Sequence, residues 1–133
     1  MPRAFPLIAL LTLAACEPGE APVAATSGAQ DFATYCAVCH GAGGKGDGEL
    51  AADLARKPAD LTGLSARNNG TFPTTRVMAK IWGYAGGQGG EVMPNFGPLL
   101  DSEAVLFDSG DGIQTPTPLR LVQLAEYVAG LGE

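Results

Sequence analysis

The chain has 133 residues, a length typical of one domain, and 46% of them are hydrophobic, which is enough to form a core. Its 14 acidic and 8 basic residues give a formal net charge of −6, which argues against nucleic acid as a partner. Glycine is abundant, with 19 residues, and clusters in HGAGGKGDG and GYAGGQGG, where we expect a close approach of the backbone to something bulky or repeated positive φ angles.

Residues 1–15 have the features of an export signal. Arg3 precedes an uncharged run over residues 4–15, which is shorter than the roughly 20 residues of a membrane-spanning helix and ends in small side chains. The alternative is a buried N-terminal helix, which Pro6 would interrupt and which no capping residue precedes. Residues 1–15 are therefore predicted to be a signal peptide.

Cys16 follows this run directly. The stretch LAAC, residues 13–16, resembles the lipobox of bacterial lipoproteins, in which the cysteine is lipidated and becomes the mature N-terminus. The resemblance implies a protein exported to the periplasmic side of a bacterial membrane and anchored there by a lipid on Cys16. It also accounts for the odd cysteine of an exported chain. Residues 17–27 are rich in Pro, Ala and acidic residues, so residues 16–27 are predicted to form the lipidated end and a flexible tether.

Helices dominate the elements predicted from residue 28 onward, so the predicted fold class is all-α. Ser27 and Gln30 form a capping-box pattern that begins a short helix leading into the first cysteines. Apolar residues at helical spacing predict a second helix over about residues 74–84. Gly86 is the predicted stop of that helix.

The C-terminal part is predicted to contain a loop, a short hairpin and a final helix. The stretch VMPNFGPLL is assigned to a loop, because Pro94 and Pro98 exclude a continuous helix. The stretch VLFDSGDGIQT predicts a small β-hairpin around a Gly-Asp-Gly turn. Thr117 is the predicted cap of the last helix, with Pro118 at its first position.

The stretch YCAVCHG holds Cys36, Cys39 and His40, the only histidine of the chain. A structural zinc site needs four ligands, but Cys16 is the only cysteine outside this cluster. A thioredoxin-like dithiol usually follows a strand in a βαβ pattern, which the sequence lacks. Cys-x-x-Cys-His is also the attachment site of c-type haem, with both sulfurs bonded to the haem edge and the imidazole bound to iron. The export signal favours this third chemistry, which gives one covalent haem c and one iron per chain.

The domain from residue 28 to residue 133 resembles class I cytochrome c domains. In that family a glycine and an aromatic residue of the N-terminal helix pack against a leucine and an aromatic residue of the C-terminal helix. Gly28 and Phe32 precede the first cysteine of the motif at the family's spacing, and Leu124 and Tyr127 match the second pair. The resemblance implies a small helical fold around the haem. It also implies that the carbonyl of Pro58 accepts a hydrogen bond from the Nδ1 of the iron-bound histidine, which would orient the imidazole.

The sixth iron ligand is a choice between Met78 and Met93. Met78 lies at helical spacing with apolar neighbours, which favours a place in the core. Met93 lies in a loop before a proline, as the distal ligand does in the family the chain resembles. Cys36, Cys39, His40 and Met93 are therefore the predicted cofactor-binding residues, with His40 and Met93 on the metal. Trp82 is assigned to the core, the alternative being a hydrogen bond to a haem carboxylate.

The predicted function is one-electron transfer by a membrane-tethered carrier between two extracytoplasmic redox proteins, a donor and an acceptor. No nucleophile, paired acid and base or phosphate loop indicates an enzyme. One alternative is a haem subunit that stays docked in a larger respiratory or oxidoreductase complex. Another is a haem-based gas sensor or enzyme, which requires that Met93 is not a stable ligand. The segment 101–118, an insertion relative to short members of the family, is expected to contribute to packing.

Overall fold

The computed structural model describes Met1 and residues 27–84 and 93–132. Residues 2–15 of the predicted signal peptide, Cys16 and the tether up to residue 26 lie outside these residues, as does Gly86. In the part of the chain that is described, no helix combines the length and the apolar character needed to cross a membrane.

The N-terminal helical region consists of three short segments that follow one another directly. Helix α1 spans Gly28–Asp31, a π-helical turn spans Phe32–Cys36, and helix α2 spans Ala37–His40. The predicted cap is confirmed, because the Oγ of Ser27 accepts a hydrogen bond from the N–H of Gln30 at 3.2 Å. The π-helical turn thus lies directly before the second half of the cysteine motif, and such turns are frequent at functional sites.

Helix α3 spans Thr74–Trp82 and buries Met78 and Ile81. It ends two residues before the predicted end, because Gly83 adopts a left-handed conformation and its N–H bonds to the carbonyl of Ala79 at 3.1 Å. Short 3₁₀ turns occur at Ala66–Asn68 and Gly97–Leu99.

A two-stranded antiparallel sheet connects the loop after Met93 to the last helix. Strand β1 spans Ala104–Asp108 and strand β2 spans Gln114–Pro118. The turn between them is closed by the Oδ1 of Asp108, which accepts the N–H of Gly110 at 2.8 Å. The predicted hairpin is confirmed. The predicted class was too narrow, since a domain of helices with a β-sheet is mixed rather than all-α.

Helix α4 spans Leu119–Gly130 and begins later than predicted. Thr117 does not cap it, because this residue pairs with β1 as part of β2. The free N–H groups of the first turn instead bond to the segment before the hairpin. The N–H of Leu119 donates to the carbonyl of Glu103 at 2.9 Å, and the N–H of Arg120 donates to the Oγ of Ser102 at 3.1 Å.

The core is organised by the contact between α1 and α4. A Cβ on Gly28 would lie 2.0 Å from the carbonyl oxygen of Gln123, so only glycine allows the two backbones to approach this closely. The rings of Phe32 and Tyr127 have centroids 5.2 Å apart, and Leu124 is 1% exposed. The helix pairing that the family resemblance implied is thus present, and it supports one wall of the functional site.

Candidate functional site

The glycine-rich loop after α2 runs back along the end of that helix. The N–H of Gly46 donates to the carbonyl of His40 at 2.8 Å, and the N–H of Gly48 donates to the carbonyl of Cys39 at 3.1 Å. Gly46 has a φ of 74°, and a Cβ on it would lie 2.4 Å from the carbonyl oxygen of Pro58. The close approach expected from these glycines is therefore an approach to the protein's own backbone, and it fixes the end of the cysteine motif.

The imidazole of His40 is oriented by the segment on the other side of this loop. Its Nδ1 lies 3.0 Å from the carbonyl oxygen of Ala59. Because a carbonyl can only accept, Nδ1 must carry the hydrogen, and in the neutral imidazole Nε2 then keeps a lone pair that can bind a metal. The expected partner, Pro58, was wrong by one residue, since the carbonyl of Pro58 is directed against Gly46.

The two cysteines of the motif are free thiols, one buried and one half-buried. Burial, followed by the charges of Asp31 and Cys39, raises the pKa of the Cys36 thiol to about 11. Redox-active Cys-x-x-Cys pairs depend on a lowered thiol pKa. The environment of Cys36 is therefore the reverse of what a thioredoxin-like dithiol requires.

All four predicted site residues line one cavity of about 590 Å³. These are Cys36, Cys39, His40 and Met93. Met78 does not line this cavity, and its side chain lies in the core with 8% of its surface exposed. The cavity volume is in the range of small-molecule and cofactor sites. The structure therefore brings the motif and the loop methionine to the same space and keeps the other methionine out of it.

The walls of the cavity are mostly apolar and come from the π-helical turn, α3, α4 and the loops between them. They are formed by Phe32, Leu54, Leu61, Leu64, Val77, Ile81, Phe96, Leu124 and Val128. Trp82 packs against the core and is not among the lining residues, in agreement with its assignment to the core.

Basic side chains complete the lining. They are Arg56, Lys57, Arg76 and Lys80. No carboxylate occurs among the lining residues that the structure describes, although the chain has 14 acidic and 8 basic residues. Sequence reasoning did not identify these cations. A signal was present in α3, where Arg76 and Lys80 are one helical turn apart and each directly precedes an apolar lining residue.

Comparison with known proteins identifies the family. The sequence model of the family described as cytochrome c oxidase, cbb3-type, subunit III matches residues 23–105. The chain belongs to this family of c-type cytochrome domains. A curated relative, the cbb3-type cytochrome c oxidase subunit FixP of Azorhizobium caulinodans, is 35% identical over 94 residues. That match covers 71% of the chain but 28% of the relative, so the chain spans less than a third of that protein's length. No solved structure matches the chain with significant similarity.

As a c-type cytochrome, the domain binds haem c, with its iron, covalently. The cavity suits this group in its chemistry: apolar walls for the macrocycle, two thiols for its edge, and an imidazole Nε2 for the iron. The cations of the lining suit the two carboxylates of the haem, since each carboxylate enclosed beside apolar walls needs a positive or hydrogen-bonding partner. The residues present therefore fit the cofactor of the family.

Proposed function

We propose that the domain transfers single electrons through a haem c held by Cys36 and Cys39, with His40 and Met93 as the axial ligands. The single observation that carries this proposal is the cavity that these four residues line together. Bound haem supplies a one-electron ferric–ferrous couple. The protein contributes an imidazole fixed by the carbonyl of Ala59, a thioether whose ligation raises the reduction potential, and apolar walls that exclude water.

We further propose that the chain acts as a haem subunit of a respiratory oxidase-type complex. The family and the FixP relative support this alternative better than the freely exchanging carrier that the sequence first suggested. The domain itself would remain an electron carrier, because His40 and Met93 would hold the iron between them and leave no position for a substrate.

Co-purification tests this proposal. Membranes are solubilised in a mild detergent, separated by native electrophoresis and stained for covalent haem. The subunit function predicts that the haem of this chain migrates with a large assembly and stays with it in high salt. Migration as an isolated small protein would instead support a free carrier. The control is the Cys36→Ser/Cys39→Ser chain, which cannot hold covalent haem and should lack the stained band, so that the band is assigned to this chain.

The proposed location is the periplasmic side of a membrane, with the protein anchored through a diacylglyceryl group on Cys16. Stable anchoring requires more than one acyl chain, and a lipoprotein cysteine carries two or three. Cys16→Ser is expected to release the protein from washed membranes or to block removal of residues 1–15. Intact mass of the purified wild-type protein provides the second readout. Unchanged membrane association and processing in the variant would contradict the anchor.

A further inference from the structure

We propose that Arg120 is a positioning residue for Met93, in that its guanidinium fastens the methionine-bearing segment to the haem-attachment helix. This inference rests on the proposed ligation of iron by Met93. It concerns a residue of α4 that does not line the cavity, so its effect must pass through the backbone.

One side of the guanidinium is bound to the helix that leads into the cysteine motif. The Nε of Arg120 donates to the Oδ2 of Asp31 at 3.0 Å, and its Nη2 donates to the Oδ1 of the same carboxylate at 2.5 Å. Asp31 is 2% exposed and the side chain of Arg120 is 22% exposed, so the pair is largely removed from water. A two-point ion pair of this kind fixes the orientation of the guanidinium as well as its position.

The other side of the guanidinium is bound to the loop. The Nη1 of Arg120 donates to the carbonyl of Leu99 at 2.7 Å. All three nitrogens of the group are therefore in use, two on a carboxylate of α1 and one on a main-chain oxygen of the segment that begins at Met93. A lysine at this position could satisfy one of these partners but could not reproduce the planar fork.

The segment between Met93 and Leu99 is short, and a main-chain hydrogen bond joins it to a second helix. The N–H of Phe96 donates to the carbonyl of Ile81 at the end of α3, at 3.0 Å. The ring of Phe96 also lies against Tyr35, with centroids 6.5 Å apart. The bond to Ile81 sets the distance of the segment from α3. The bond from Arg120 sets its distance from α1, and hence from the motif that carries His40.

Two hydrogen bonds to other elements, from Arg120 and to Ile81, restrict where the methionine side chain of this short segment can reach. Loss of the Leu99 contact removes one of them and leaves the cavity walls and the motif in place. The equilibrium between bound and displaced methionine should then shift towards displacement. Binding of the methionine to iron would have to order a segment that Arg120 no longer holds, and this ordering costs conformational entropy. If Arg120 served only to join α1 and α4, its substitution would lower the stability of the fold without changing that equilibrium.

The test uses the haem-loaded protein and imidazole as a competing ligand, with the far-red sulfur-to-iron band of the oxidised form as the readout. Arg120→Lys keeps the charge and loses the fork, and should lower the imidazole midpoint about tenfold, as expected for about 1.4 kcal/mol. Asp31→Asn is the matched control, since it weakens the same ion pair but retains the Leu99 contact. Asp31→Asn should lower the imidazole midpoint less than about threefold. It should lower the denaturant midpoint at least as much as Arg120→Lys does. If Arg120→Lys does not accumulate, Arg120→Gln replaces it with the same expectation.

An imidazole midpoint in Arg120→Lys equal to that of the wild type, or an equal shift in both variants, would overturn the positioning role. These outcomes are separate from failure of the proposed ligation. Wild-type protein without the far-red band, or a band that survives Met93→Ala, would refute Met93 as the ligand and the inference with it. A wild-type band that is lost in Met93→Ala, together with an unchanged imidazole midpoint in Arg120→Lys, would refute the inference alone.

Discussion

The closest approach of α1 and α4 gives a sharp prediction at Gly28. In Gly28→Ala, the new Cβ would lie 2.0 Å from the carbonyl oxygen and 2.9 Å from the next amide nitrogen of α4. Both atoms are main chain, so no side chain can turn away, and the helices must separate until the first distance reaches an ordinary contact of at least 3.4 Å. Because the overlap is with main-chain atoms, it should cost about 3 kcal/mol, the upper end of the range for overpacking, offset by about 1 kcal/mol of better helix propensity. We therefore expect a net loss of about 2 kcal/mol, which lowers the Tm by about 8–16 °C.

The assay is thermal and guanidinium unfolding of haem-loaded protein, followed by far-UV circular dichroism. Gly130→Ala is the matched control, because Gly130 ends α4 and a Cβ there meets nothing within 4 Å. The same chemical change should leave stability unchanged or raise it by up to about 1 kcal/mol. A Tm for Gly28→Ala within about 3 °C of the wild type would refute the close contact that this reasoning requires.

The remaining predictions concern the iron ligand, the basic lining and the hairpin. Met93→Ala should abolish the far-red band, lower the potential and admit carbon monoxide to the ferrous iron. Met78→Ala should leave the spectrum unchanged and cost about 2–5 kcal/mol of stability, and an altered spectrum in this variant would contradict its place in the core. Arg76→Gln removes a cation from the cavity and should lower the reduction potential by about 20–60 mV. Lys45→Gln, at a residue that does not line the cavity, should lower it by about 10 mV or less, and equal shifts in the two variants would refute a site-specific effect. The backbone N–H groups of the hairpin turn bond to the carboxylate of Asp108 and lower its pKa below 3.8. The stability that these bonds add is therefore present above the pKa of the unfolded chain and is lost as pH falls through the pKa of the folded protein. Amide shifts of the turn followed by NMR should therefore titrate with a midpoint below 3.8, and a midpoint at or above it contradicts the hydrogen bonds.

Features encoded by neighbouring residues could be predicted from the sequence. Ser27 caps α1 through the N–H of Gln30, three positions away, and the Gly-Asp-Gly turn specifies the hairpin. The cysteine motif is equally local, which is why its residues and the cofactor could be named before the fold. Met93 was distinguishable from Met78 because one precedes a proline in a loop and the other follows helical periodicity.

Features that depend on distant partners were missed or misplaced. The start of α4 was predicted too early, because its first N–H groups bond to Ser102 and Glu103 rather than to an adjacent cap. Arg120 and Asp31 are 89 positions apart, and each alone resembles an ordinary charged residue of a helix surface. The hydrogen-bond partner of the His40 Nδ1 is the carbonyl of Ala59 rather than that of Pro58. A family pattern specifies only the region of the chain, and the conformation of the local turn decides which carbonyl reaches Nδ1.

Electron transfer through a haem with both axial positions filled is the central claim, and a redox titration of the haem-loaded wild-type protein combined with carbon monoxide mixing tests it most directly. The account predicts one reversible one-electron couple at positive potential, a far-red band in the oxidised form, and no rapid binding of carbon monoxide to the reduced form. Rapid carbon monoxide binding by the unmodified protein, without a far-red band on oxidation, would contradict it and would favour a sensor or enzyme with an open iron.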